Sequence, residues 1–348
     1  MRFISSRHSY RIITGLLVLS GLSGICQDIH FSQFNNTPLL INPALAGTAA
    51  DIDATLNYKD QWRSVASPYK TFSASYAMKL SKKRWGYYGL GLTFMNDVAG
   101  DALMSNLSGL LSFSCSRKLN SNNVLGAGIQ AGFHERSIIA NELKWGSQYN
   151  GLNYDPSIPS GEAPPQDRFE YLDVSTGMYW NYGSEQMYIS ANDALRVHAG
   201  ISVFHLNKPQ QSFYVEGGDP LHPKLVAHGG LDFGIKNTSY ALVPGFIFFK
   251  QGPAKEILAG SLFRYNIRED AKYTGYIKSA SFSLGAYYRW SDALVLTSLL
   301  QISSLSIQVS YDVNVSSLRN ASNGRGGVEI GIRFNNTNGY LYQGFKGM

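Results

Sequence analysis

Alternation with period two dominates this chain. In the stretch "SLSIQVSYDVNVS", Ser304 to Ser316, the residues Leu305, Ile307, Val309, Tyr311, Val313 and Val315 fall on one parity. Ser306, Gln308, Ser310, Asp312, Asn314 and Ser316 fall on the other. Strand side chains alternate faces, so such a run is a β-strand with one face against something apolar and the other in surroundings wet enough to hold an aspartate. The pattern returns in "LDVSTGMYW", where Leu172, Val174, Thr176, Met178 and Trp180 oppose Asp173, Ser175, Gly177 and Tyr179. It returns again in "GVEIGIRF", from Gly327, and in "IDATLNYK", from Ile52. About fourteen such strands can be placed, most of them close to the roughly 9 to 11 residues that a tilted membrane strand requires. They fall at 53–63, 69–78, 86–96, 104–119, 123–137, 170–182, 194–206, 224–236, 240–249, 256–267, 280–290, 293–302, 305–314 and 326–335.

The connections alternate as well. Numbered from the first strand, the even ones (79–85, 120–122, 183–193, 237–239, 268–279, 303–304) are mostly short. The odd ones include 138–169, with four prolines, and 207–223. Short turns on one side and long loops on the other are the habit of bacterial outer-membrane barrels. Charges within strands (Asp53, Asp173, Asp232, Lys236, Arg264, Asp312, Glu329, Arg333) keep to the polar parity. A lipid-facing Lys or Arg near the midplane would cost about 2 to 4 kcal/mol, which accounts for the segregation. A soluble sandwich also alternates, but the strands are too many for one small sandwich. Trp62, Trp85, Trp180 and Trp290, with Tyr87, Tyr88, Tyr182, Tyr287 and Tyr288, gather near strand ends, as an interfacial girdle does. The expected fold is all-β, a transmembrane antiparallel up-and-down barrel of about fourteen strands over residues 51–335.

An export signal agrees with that fold. Arg2, Arg7, His8 and Arg11 precede an apolar run from Ile12 to Leu22 and the small stretch Ser23 to Cys26, the layout of a secretory signal peptide over residues 1–26. Acylation at Cys26 is the weaker alternative, because the bulky Ile25 stands before it. Removing this segment takes three of the 30 basic residues and none of the 24 acids, so the formal charge falls from +6 to +3. A nearly balanced chain without a basic block interleaved with aromatics points away from a nucleic-acid partner. Only Cys115 then remains, which excludes an internal disulfide. Between signal and first strand, residues 27–50 lack alternation and carry the Asn42-Pro43 turn signal. This leader is expected to act as a periplasmic lid or plug, or to pack along the first strands. Residues 336–348 form a tail.

The search for chemistry is mostly negative. His30, His134, His198, His205, His222 and His228 show no metal-ligand spacing, and no GxSxG elbow occurs. "GAGIQAG", Gly126 to Gly132, has the spacing GxGxxxG and lies within a strand, so small residues on a crowded inner wall explain it better than a dinucleotide loop. No enzyme activity, cofactor or metal is expected.

Several stretches are less generic. "QDIHFSQF" (Gln27 to Phe34), "PLLINPALAGT" (Pro38 to Thr48), "NYKDQWRSV" (Asn57 to Val65) and "SPYKTFSASY" follow one another. "NDVAGD" (Asn96 to Asp101), "SYDVNVSSL" (Ser310 to Leu318) and "GGVEIGIRF" (Gly326 to Phe334) come later. In order and spacing the chain resembles the PorP/SprF family of the type IX secretion system and gliding motility. It differs at Lys59, where an Arg is expected, and matches no family stretch over 139–223. The resemblance implies a non-enzymatic barrel in the outer membrane of a Gram-negative bacterium. Such a barrel assists export or surface anchoring of secreted proteins, among them adhesins with a C-terminal sorting domain, and its partners are outer-membrane lipid and periplasmic secretion components. The residues it carries over are Asn42, Pro43 and Gly47 in the leader, Gln61 and Trp62 at the end of the first strand, Asn96, Asp97 and Gly100 in the second external connection, and Tyr311, Asp312, Glu329 and Ile330 in the last two strands. The competing reading is a passive channel for small solutes.

Overall fold

The computed structural model describes residues 28–64, 67–162, 165–184, 192, 194–214, 218–268 and 279–336. The expected signal peptide and nearly all of the expected tail lie outside them. Fourteen strands form one closed antiparallel barrel: β1 (Ile52–Gln61), β2 (Tyr69–Lys83), β3 (Gly86–Ala99), β4 (Met104–Lys118), β5 (Asn123–Ser137), β6 (Arg168–Gly183), β7 (Leu195–Phe204), β8 (Lys224–Gly234), β9 (Tyr240–Gln251), β10 (Ala254–Arg268), β11 (Ala280–Arg289), β12 (Ala293–Ile302), β13 (Leu305–Asn314) and β14 (Arg325–Asn336). Each strand pairs with its neighbour in sequence, and β1 closes on β14 with Tyr58 opposite Ile330 and Lys59 opposite Glu329. Closure leaves no edge, so every strand has its backbone groups satisfied where no water can reach them. Among the described residues no helix is long and apolar enough to cross a membrane; the strands are what crosses.

The faces follow the alternation. Leu56, Leu92, Ile129, Leu172, Ile307 and Ile330 are exposed on the outside, whereas Ser112, Ser114, Asp173, Asp312 and Glu329 are buried within. An apolar exterior around a polar interior is the inverse of a soluble protein and suits lipid. Several strands run past their expected ends: β2, β3 and β6 reach 15, 14 and 16 residues, whereas β5 keeps the bounds the alternation set. The β5–β6 hairpin ends in Glu135, Arg136, Arg168 and Glu170 beyond the apolar band.

Two features depart from the sequence pattern. The aromatic girdle is thinner than expected. Trp85, Trp180 and Trp290 are exposed, but Tyr87 turns inward to Tyr179 (Oη to Oη, 2.6 Å) and Tyr287 is buried against Phe34. Adjacent residues on a strand must face opposite ways, so of the pairs 87/88 and 287/288 only one tyrosine each can join a girdle. The inner wall is also not uniformly polar. Across β7 to β12 it carries Phe204, Val226, Ile247, Phe249, Leu258, Leu262 and Val295, all buried. In β9, "YALVPGFIFFKQ" is apolar on both faces.

The long connections 138–167 and 205–223 lie at one end of the barrel with 62–68, 100–103 and 315–324. By the rule of short periplasmic turns, that end is the cell exterior. The opposite end carries such tight links as Arg84-Trp85 and Ser303-Ser304.

Candidate functional site

The leader runs inside the barrel and connects its two ends. At the periplasmic end Asp51 pairs with Lys82 (2.6 Å) and Lys79 (3.4 Å). At the outer end Asp28 meets His205 and Gln251, which stand at or just past the outer ends of β7 and β9. Between them the leader makes three short turns of helix, Phe34–Asn36, Pro38–Ile41 and Pro43–Leu45. Pro38 and Pro43 each stand at a first helical position, where the missing N–H costs nothing. Asn42 is the hinge of this path. Its Oδ1 accepts from the Ala44 N–H at 2.9 Å as an N-cap, while its Nδ2 donates to Met178 O (2.9 Å) and contacts His228 Nε2 (3.1 Å) across the lumen.

The wall is shaped to admit it. A Cβ on Gly128 would lie 2.5 Å from the Ala44 nitrogen, and one on Gly177 would strike Asn42 Oδ1. Small luminal residues in "GAGIQAG" are thus seats for the leader. Gly47, at φ +69°, makes the turn by which the chain leaves the lumen toward β1. Ser114 Oγ donates to Ala46 O (2.7 Å), Gln130 Nε2 to Leu39 O (3.2 Å), and Ser202 Oγ to Ile41 O.

Two kinds of contact anchor the outer half. On the apolar wall, Phe34 and Ile41 complete the cluster of Val226, Ile247, Leu258 and Val295; burying the Phe34 ring contributes about 2 to 3 kcal/mol. On the polar wall, the Glu329 carboxylate accepts the backbone N–H groups of Ser32 (2.8 Å) and Gln33 (2.9 Å) and pairs with Lys59 Nζ (2.9 Å). Lys59 also donates to His30 O at 3.1 Å. Asp312 accepts from Ser32 Oγ (3.0 Å) and Arg289 Nη2 (2.9 Å), and Arg289 itself donates to Ser32 Oγ. His30 Nε2 lies 2.9 Å from Glu256. These buried charges are all paired, as a low-dielectric interior demands.

The outermost latch is His205, held between Asp28 (2.5 Å) and Asp173 (3.0 Å). Burial alone would lower its pKa, but hydrogen bonding and attraction from Asp173 and Asp28 outweigh that and raise it to about 9. Burial pushes the Asp28 carboxyl up, yet Lys224 and His205 together hold it far below the usual carboxylate range. Beside this latch, sharing Asp28 with it, opens a vestibule of about 240 Å³, lined in part by His30, Lys59, Trp62, Asp97 and Arg289.

The structure therefore divides the residues carried by the family resemblance. Asn42, Pro43, Gly47, Asp312 and Glu329 come together along the leader. Gln61, Trp62 and Asp97 surround the vestibule, with Thr71 Oγ1 donating to Asp97 at 2.6 Å. Trp62 stacks edge-on to Tyr69 at 5.0 Å and lines this mouth, so it is not the lipid-facing girdle anchor its position implied. Asn96 and Asp97 belong to β3, with only Gly100 (φ +72°) in the connection that follows. Tyr311 and Ile330 face lipid. The sequence did not single out Asp28, Ser32, Gln33, His205 or Arg289. His205 and Arg289 carried one signal, a charge-bearing side chain near the end of an expected strand, while Asp28, Ser32 and Gln33 in the unpatterned leader carried none. Among the described residues no group of three His, Cys, Asp or Glu could hold a metal.

Replacing Glu329 with Ala leaves Lys59 buried without its carboxylate and two leader amides without an acceptor. The expected cost is about 3 to 5 kcal/mol, read as a lower denaturation midpoint in vesicles together with faster amide exchange over residues 28–36. An unchanged midpoint would contradict the assigned contacts. The latch also has a signed pH dependence. His205 has a folded pKa above its free value of 6.5, so its contribution is complete below pH 6.5 and is lost as pH rises through about 9. Asp28 is depressed from 3.8, so its contribution is present above that pH and is lost in acid. Amide exchange at residues 28–33 should therefore accelerate between pH 7 and 10 beyond the intrinsic rate increase, and a His205→Asn variant should lack that extra step.

Comparison with known proteins adds the following. The model of the type IX secretion system membrane protein PorP/SprF matches residues 23–334, leader and barrel alike. No curated protein matches the chain. Among solved structures, CdiB from Acinetobacter baumannii is similar with TM-score 0.42 and 8% identity, over 82% of this chain and 60% of that one. The chain thus spans less than two thirds of CdiB's length. The CymD monoaromatic hydrocarbon channel is similar with TM-score 0.43 and 12% identity, over 87% and 94%. BamA from Haemophilus ducreyi lacking POTRA domains 1–3 is similar with TM-score 0.41 and 9% identity, over 82% and 70%. Likenesses this distant speak to no function. The family match, with a closed fourteen-stranded barrel, makes the protein an outer-membrane one: the chain belongs to the PorP/SprF family of type IX secretion system membrane proteins.

Proposed function

We propose that the protein is a closed, non-enzymatic docking platform of the type IX secretion system. It assists export and surface attachment of secreted proteins, including adhesins with a C-terminal sorting domain, while periplasmic secretion components engage its inner end. The observation that carries this reading is the leader itself. From Asp51 to Asp28 it fills the lumen with paired charges and packed apolar side chains, and a lumen so occupied suits an anchor better than a solute channel. Surface for a partner is available at the outer end, where the 138–167 connection leaves Tyr149 and Leu152 exposed, Leu152 by 84%. Both signs of charge line the vestibule, which favours protein recognition over ion selection. Residues Asn42, Pro43 and Gly47 act in this scheme by fixing the plug. Gln61, Trp62, Asn96, Asp97 and Gly100 shape the outer mouth, and Tyr311, Asp312, Glu329 and Ile330 hold the closing strands.

The test is affinity purification of a tagged copy from outer membranes of the native host, followed by mass spectrometry. Type IX components or a large sorting-domain adhesin should accompany the barrel. A barrel recovered alone would sink the platform reading.

A further inference from the structure

The two rims of the barrel differ in charge. At the periplasmic end the acids that face the lumen are matched: Asp51 by Lys82 and Lys79, Asp53 by Arg333 (2.8 Å) and Asp232 by Arg264 (2.6 Å). Lys83, Arg84, Arg117 and Lys118 are exposed at the same end, and none of the four forms an ion pair among the described residues. They are also neighbours. Lys83 pairs with Gly86 across the β2–β3 turn, Gly86 pairs with Arg117 on β4, and the Lys118 N–H donates to Trp85 O at 2.8 Å.

Immediately below this cluster lies a lipid-facing aromatic ladder. Trp85 meets Tyr88 edge-on (centroids 5.5 Å apart), and Tyr88 stacks on Phe113 (5.9 Å). Leu80, Leu119 and Leu125 are exposed beside it. Trp and Tyr of this kind sit at headgroup level, which fixes the depth of Lys83, Arg84 and Arg117 where phosphates of the periplasmic leaflet lie. Arg117 shares the outward parity of Phe113 and Cys115, so its guanidinium leaves the barrel toward lipid, whereas Lys118 takes the parity of the lumen-lining Ser114 and Ser116 and does not belong to the lipid-side cluster.

We propose that Lys83, Arg84 and Arg117 form a binding site for the headgroup of an anionic phospholipid, whose acyl chains lie along Trp85, Tyr88 and Phe113. An acidic protein could also answer three cations. It would not account for the continuous apolar and aromatic surface that starts at their feet, whereas a molecule with an anionic head and apolar tails meets both. The guanidinium groups suit phosphate in particular, since they offer paired donors in a fixed fork. The site is independent of the docking role and stands or falls separately from it.

The test uses the purified full-length protein in neutral detergent, titrated with dioleoyl phosphatidylglycerol and with dioleoyl phosphatidylethanolamine and followed by native mass spectrometry. The wild type should hold the anionic lipid about tenfold more tightly than the zwitterionic one, given the attraction of basic clusters to anionic headgroups. The combined variant Lys83→Gln, Arg84→Gln and Arg117→Gln should lose that preference. A second variant on the same rim, Lys236→Gln with Arg268→Gln, should keep it. Equal binding of the two lipids by the wild type would overturn the proposal without recourse to any variant. So would a preference that survives the triple change, or one that the distant pair abolishes equally. Capture of an acidic periplasmic protein through the three cations, with no lipid preference, would overturn it in favour of a protein site.

Discussion

The pairing of β1 with β14 governs everything else in the molecule. In hydrocarbon an unpaired N–H or C=O costs several kcal/mol, so a sheet that enters a bilayer must meet its own first strand. Closure sets a diameter, and at fourteen strands that diameter encloses more space than wall side chains can fill, since about eight strands already make an interior just full. The leader answers that excess. It occupies the interior along its length, and the luminal glycines Gly128 and Gly177 are the complement of its bulk.

The leader is held by unlike forces on its two sides. Against β7 to β12 it presents Phe34 and Ile41 to an apolar wall; against β1, β13 and β14 it meets Lys59, Asp312 and Glu329. Apolar packing supplies most of the attraction, because buried ion pairs recover little beyond their desolvation cost. Directional contacts do something else. A carboxylate that accepts two consecutive backbone N–H groups, as Glu329 does, fixes the register of an extended segment that a greasy wall alone would let slide. Breaking such a contact is far more damaging than its net worth would indicate.

Strand number, strand faces and the placement of Asp173, Asp312 and Glu329 inside were legible in the sequence, because period-two alternation records which side of a sheet meets lipid. The leader's path was not. It has no periodicity, and its partners are scattered from Asn57 to Glu329. Its trace was present indirectly, as glycine on the luminal parity of "GAGIQAG", which announces crowding without saying by what. In β9 the pattern was silent for the same reason: the inner face is apolar because Phe34 and Ile41 lie on it. The tyrosine pairs 87/88 and 287/288 misled a reading by composition that alternation, applied strictly, would have corrected. Asp173 and His205 are brought together by the neighbouring strands β6 and β7, and Asp28 reaches them only because the leader crosses the lumen, a meeting that nothing local marks.

The central claim is that this barrel is shut by its own leader, and electrical conductance tests it most directly. Purified protein inserted in a planar bilayer at neutral pH should show no steady current, and the same protein lacking residues 28–48 should open a lasting channel. Steady, porin-sized conductance through the intact protein would contradict the account.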